Sequence, residues 1–154
     1  MSEYMLSIER AFDTDALSIF NSGVRAVDLL IHKRNGGLLS FVSDIPCEFY
    51  IARINEEPAA VFVFSNRTIT ITDKRYPCLE IEFIAVRDKW RNKGIGKHIL
   101  QLAEDNARAA DFHFLTTAAF INRRYSAVGF YEKCGFEING EKQGDIIPMF
   151  KFLK

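Results

Sequence analysis

The chain has 154 residues, 48% apolar and 26% charged, with 20 Lys plus Arg balancing 20 Asp plus Glu; that length suits one domain with a real core. Zero net charge lacks the basic excess from which nucleic-acid binders draw affinity, and no apolar run approaches the roughly 18–20 residues that span a bilayer. Cys47, Cys78 and Cys134 show no C-x-x-C spacing and the histidines are scattered, which argues against a disulfide framework or a metal site.

The expectation is therefore a single domain, 1–154, without metal, nucleic-acid or membrane partners. Residues 1–10 carry acids and no apolar core of signal-peptide length, so a reducing cytoplasm is the default location.

Residues 4–12 read as a first strand. Asp13 and Thr14 offer an N-cap to a helix over 15–21, and 24–33 form a second helix with Val24, Val27, Leu30 and Ile31 on one face. Gly36 and Gly37 end it, and a loop containing Pro46 leads to Cys47. Residues 48–54 and 59–65 read as strands joined by a turn at 55–58. The alternation from Thr68 to Thr72 either continues the second of these or makes a short extra strand. A turn at 73–77 precedes a strong strand at 79–86. Residues 95–109 form the longest helix, with Ile99, Leu102, Ala103, Asn106 and Ala107 at helical spacing. A strand at 112–119, a helix at 124–134 ended by Gly135, and strands at 136–138 and 147–153 complete the chain. The fold class is α/β in the α+β sense: a mixed sheet of roughly six to seven strands flanked by about four helices.

The most informative stretch is Ile84-Ala85-Val86-Arg87-Asp88-Lys89-Trp90-Arg91-Asn92-Lys93-Gly94-Ile95-Gly96-Lys97. A strand runs into a short basic loop with two glycines, and a helix begins at once. The first amides of a helix lack internal partners, and the helix dipole adds partial positive charge there. Glycines let a phosphate approach those amides, and Arg91, Lys93 and Lys97 add cations. The spacing fits neither G-x-x-x-x-G-K-[ST] nor G-x-G-x-x-G. A plain strand-to-helix turn with solvated basic residues is the competing reading.

Upstream, Glu80 and Glu82 share one face of the strand with Ile84 and Val86, while Ile81, Phe83 and Ala85 take the other. Two carboxylates on an otherwise apolar strand either serve as a base or pair with a cation across the sheet.

Arg91-x-x-Gly94-Ile95-Gly96 after Ile84-Ala85-Val86 resembles the acetyl-coenzyme A motif of the GNAT superfamily of N-acetyltransferases. Ala127-Val128-Gly129-Phe130-Tyr131-Glu132-Lys133-Cys134-Gly135-Phe136 resembles the family's A-x-x-x-Y-x-K-x-G-F segment, one helix and one strand downstream. The resemblance implies a GNAT-like fold and an acetyl-CoA-dependent transfer to a small-molecule or protein amine in a ternary complex. It implies that the backbone of Ile84, Ala85 and Val86 pairs with the pantetheine arm. Amides and side chains of Arg91, Asn92, Lys93, Gly94, Ile95, Gly96 and Lys97 would hold the pyrophosphate. Tyr131 would be the general acid that protonates the leaving thiolate, and Glu80 or Glu82 the base.

The family often has Asn seven residues before the tyrosine; here Arg124 stands there, and Asn122, two residues earlier, is the substitute candidate. Acetyl is preferred over succinyl because no obvious cation waits for a second carboxylate. The resemblance implies that the first helices and their loops, about 16–47, set the acceptor; Asp28, Asp44 and the neighbouring Glu48 are candidate amine partners, with surface solvation the competing reading, and a homodimer through the C-terminal strand stays open. The rival reading is a non-catalytic coenzyme A sensor or partner module of the same fold.

Overall fold

The computed structural model describes residues 5–11, 47–121 and 126–154. The helices expected at 15–21 and 24–33, and the loop up to Pro46, lie outside these. The described strands are β1 (Leu6–Ala11), β2 (Cys47–Ile54), β3 (Glu57–Ile71), β4 (Lys74–Val86), β5 (Phe114–Phe120), β6 (Glu137–Ile138) and β7 (Ile146–Phe152). The described helices are α1 (Ile95–Ala109) and α2 (Val128–Lys133), with a 3-10 turn at Asp88–Trp90.

The strands hydrogen-bond in the order β1-β2-β3-β4-β5-β7-β6. β1 and β2 are antiparallel, as are β5 and β7, whereas β4 and β5 are parallel. A parallel pair needs a crossover, and α1 lies in it. The expected mixed sheet is therefore present.

Two hairpins are tighter than the sequence predicts. The first turn is Asn55 and Glu56, with φ of 51° and 71°; the second is Thr72 and Asp73, with φ of 50° and 65°. Consecutive left-handed residues are the two-residue solution that matches strand twist. Pro58 consequently falls inside β3 and Pro77 inside β4, where turns were expected through both. The Thr68–Thr72 alternation continues β3 as far as Ile71. Thr72 is the strained member, because a β-branched residue rarely takes positive φ.

The chain packs as two compact units interleaved in sequence. The first contains Met1–Phe64 and Phe83–Gly96. Its core is the run Ala59–Phe64, which is buried on both faces of β3, as a near-continuous apolar sequence requires. Phe62 stacks on Tyr50 with centroids 5.1 Å apart and tilts against Phe64 at 5.2 Å.

The second unit contains Ser65–Glu82 and Lys97–Lys154. α1 buries Ile99, Leu100, Ala103 and Ala107. Leu102 and Asn106, expected on the same stripe, are half-buried. Lys151 of β7 reaches Glu104 of α1 at 3.1 Å. A separate cluster of Ile69, Cys78 and Phe114 is flanked by Ile71, Tyr76 and Phe150. Among the described residues no helix is long and apolar enough to cross a membrane.

Phe62→Ala removes a ring with 0% exposure. It is expected to cost about 3–5 kcal/mol in chemical denaturation; a loss below about 1 kcal/mol would contradict this packing.

Candidate active site

Within the first unit, the loop after β4 is tied down by backbone and charge. Arg87 N donates to Ala59 O at 2.8 Å, and Arg87 Nη1 donates to Pro58 O at 3.0 Å. Lys89 Nζ meets Glu57 Oε2 at 2.9 Å and lies 5.1 Å from the Trp90 ring centroid. Arg91 Nε meets Asp88 Oδ1 at 3.0 Å with only 16% of its side chain exposed, so this expected phosphate cation is engaged by a neighbouring acid. Lys93 is exposed, as is Lys97 at the start of the second unit.

The chain then turns through Asn92 (φ 59°) and Gly94 (φ 82°) into α1. A Cβ on Gly94 would meet nothing within 4 Å, so positive φ, not crowding, demands glycine there. No acidic residue occupies the first turn of α1. Open space, positive backbone ends and no competing carboxylate are what an anion needs at a helix start.

The second unit holds the carboxylate pair. β4 pairs with β5 through Leu79 with Leu115, Glu80 with Thr116 and Ile81 with Thr117, and β4 itself runs on to Val86. Ile81 and Ala85 are buried while Glu80, Glu82, Ile84 and Val86 are half-buried, as the period of two predicts. Arg67 of β3 reaches both acids: Nε lies 2.7 Å from Glu82 Oε1 and 2.9 Å from Glu80 Oε2, and Nη2 also donates to Glu82 Oε1. Ser65 Oγ donates to Glu82 Oε1 at 2.9 Å, and Thr116 Oγ1 donates to Glu80 Oε1 at 2.9 Å. The cross-sheet cation is therefore present.

Burial first, and then the adjacent charge of Glu82, push the Glu80 carboxyl up from 4.5 to about 7 despite Arg67. Cys78 Sγ lies 3.5 Å from Thr116 Oγ1. Burial raises the pKa of that thiol above its ordinary value, so it is a packing group rather than a nucleophile.

Tyr131 sits in the last turn of α2. Phe136 N donates to Tyr131 O, and Gly135 N to Glu132 O, both at 3.0 Å. With Gly135 at φ 93° this is a Schellman stop. Its customary apolar contact is Tyr131 against Phe136, with centroids 5.2 Å apart, and Phe130 meets the same ring at 5.2 Å. The Tyr-Gly-Phe spacing thus has a helix-ending cause of its own. α2 begins at Val128, not at 124, because Ser126 bridges to Ile121 and its hydroxyl receives Val128 N at 3.2 Å. Asn122 and Arg124 lie outside the described residues, as do Asp28 and Asp44. Glu48 is exposed and accepts from Tyr50 Oη at 2.5 Å.

Sequence reasoning missed Arg67, Ser65 and Thr116 as partners of the pair. The available signal was that Arg67 is the one cation in the sequence of β3. A turn drawn over 73–77 slides the β3–β4 register and hides which residues face the acids.

A family model described as Acetyltransferase (GNAT) family matches residues 14–136, more than half of the chain. The L-methionine sulfoximine/L-methionine sulfone acetyltransferase of Pseudomonas aeruginosa is 36% identical over 58 residues, 38% of this chain and 33% of that protein. The chain thus spans about a third of the length of the curated relatives it matches. PaiA N-acetyltransferase from Thermoplasma acidophilum, crystallised with coenzyme A, shares the fold at TM-score 0.67, with 15% identity over 96% of this chain and 99% of that one. AtaT complexed with acetyl-methionyl-tRNAfMet aligns at TM-score 0.64, with 15% identity over 94% of each chain.

Glu80 holds its proton more tightly in the folded chain than in the unfolded one, so its contribution to stability is full below pH 4.5 and is lost as pH rises through about 7. Glu80→Gln, which mimics the protonated acid, is expected to remove that loss. The difference in stability between variant and wild type, from denaturant midpoints, should be flat below pH 4.5 and move in favour of the variant up to pH 7. A constant difference across that window would contradict the assignment.

Proposed function

The chain belongs to the GNAT family of acetyltransferases, and from that premise we propose that it moves an acetyl group from acetyl-coenzyme A to a primary amine by direct attack in a ternary complex. The observation that carries this reading is the Glu80 carboxyl, half-buried beside Glu82 with its pKa raised to about 7. A general base works best when its pKa lies near the working pH.

Each residue group then has a task. Amides from Arg91 to Lys97, with Lys93 and Lys97, bind the donor's diphosphate, and the backbone of Ile84, Ala85 and Val86 pairs with its pantetheine arm. Glu80 takes a proton from the acceptor ammonium, directly or through water. The freed lone pair forms the C–N bond at the thioester carbonyl, which strand amides polarise, as the C–S bond breaks. Tyr131 gives its phenolic proton to the departing thiolate, whose basicity a phenol of pKa about 10 can match. The attacking nitrogen sheds its second surplus proton as it becomes the amide, and that proton restores Tyr131 through water, while Glu80 loses its own to solvent. The net products are an amide, a free thiol and one proton.

A second reading is favoured by one observation: Tyr131 is 8% exposed and its ring completes the helix stop. That suits a coenzyme A-binding module without catalysis. Tyr131→Phe separates the two, because it keeps the ring and removes the proton. In the enzyme, turnover falls at least about 100-fold while donor affinity by calorimetry is unchanged; in a sensor neither changes.

Activity is tested by thiol release from acetyl-coenzyme A across small amines, polyamines, amino acids, antibiotics, peptide N-termini and lysines. The capture of AtaT with an acetylated aminoacyl-tRNA adds aminoacyl-tRNA to that panel. Release with at least one amine supports the proposal. Silence across the panel, with no heat of donor binding, would defeat it.

A further inference from the structure

Among the described residues, the groups facing the Glu80 carboxyl are Glu82 and Cys78 on its own strand, Arg67 on β3 and Thr116 on β5. The donors are divided unequally. Glu82 Oε1 receives Ser65 Oγ and both Nε and Nη2 of Arg67, and the Glu82 side chain is 6% exposed. Glu80 receives one hydroxyl from Thr116 and shares Arg67 Nε, and its side chain is 21% exposed. Arg67 is thus shared between the two carboxylates, and one guanidinium cannot neutralise both.

We infer that Arg67, held between the two carboxylates, is a positioning residue that opposes their mutual repulsion and tunes Glu80 for proton exchange. Its use in catalysis rests on the acetyl-transfer reading above; the control of Glu80 by Arg67 does not. Two opposed fields act on Glu80. Burial and the adjacent Glu82 charge raise its proton affinity, and the Arg67 cation and the Thr116 hydroxyl lower it. Removing the cation leaves the raising influences opposed by the Thr116 hydrogen bond.

The test is carboxyl-carbon NMR of glutamate-labelled protein, with the Glu80 signal assigned by its loss in Glu80→Gln. Arg67→Met should raise the Glu80 midpoint by about one pH unit or more, and Arg67→Lys by less. The acid limb of thiol release against pH should move the same way. An unchanged midpoint in folded Arg67→Met overturns the inference. Should that variant not fold, Arg67→Gln, which keeps a polar side chain, decides by the same measurement: a raised Glu80 midpoint supports the inference and an unchanged one overturns it. If Glu80 responds to Arg67 while the wild type acetylates nothing, the acetyl-transfer reading fails and the control of Glu80 by Arg67 is upheld.

Discussion

Two carboxylates on one half-buried strand face, answered by a single guanidinium, are the constraint around which the candidate site is organised. An ionised carboxylate moved out of water costs several kcal/mol unless it is paired and hydrogen-bonded. Arg67 and Ser65 meet that cost for Glu82. Thr116 and a share of Arg67 meet it incompletely for Glu80, whose carboxyl consequently holds a proton up to about pH 7. The same strand that presents the pair continues to Val86 and opens into the glycine loop.

Much of this was legible in the sequence because period and punctuation are local properties. The helix at 95–109 was bounded correctly by its apolar repeat. The two faces of β4 followed from simple alternation. Gly135 marked the end of α2 because only a residue comfortable at positive φ closes that motif. The failures were failures of register. Glu56 and Thr72 do not advertise a left-handed turn, and the prolines nearby pulled both turns outward. A shift of one or two residues changes which side chains oppose one another across a hairpin. For that reason Arg67 was invisible although every residue of the pair had been singled out. The start of α2 was also misplaced, because Ser126 satisfies a backbone amide outside the regular helix.

Tyr131 shows how one residue can answer to two constraints. Its carbonyl and ring terminate α2 through Phe136, which explains the Tyr-to-Phe spacing without chemistry. These contacts use the carbonyl and the ring face and leave the chemistry of Tyr131 to be tested by the Tyr131→Phe exchange. Fold alone does not choose between these, and the structural neighbours, at 15% identity, speak to the fold. The physical argument for catalysis rests instead on the tuned carboxyl.

The most direct test of that argument is the pH dependence of kcat/KM for thiol release, at saturating donor, in wild type and Glu80→Gln. The wild type should show an acidic limb with a midpoint near 7, and the variant should lose that limb along with most of its rate. An identical limb in the variant would mean that some other group takes the proton, and the role given to the Glu80–Glu82–Arg67 cluster would be wrong.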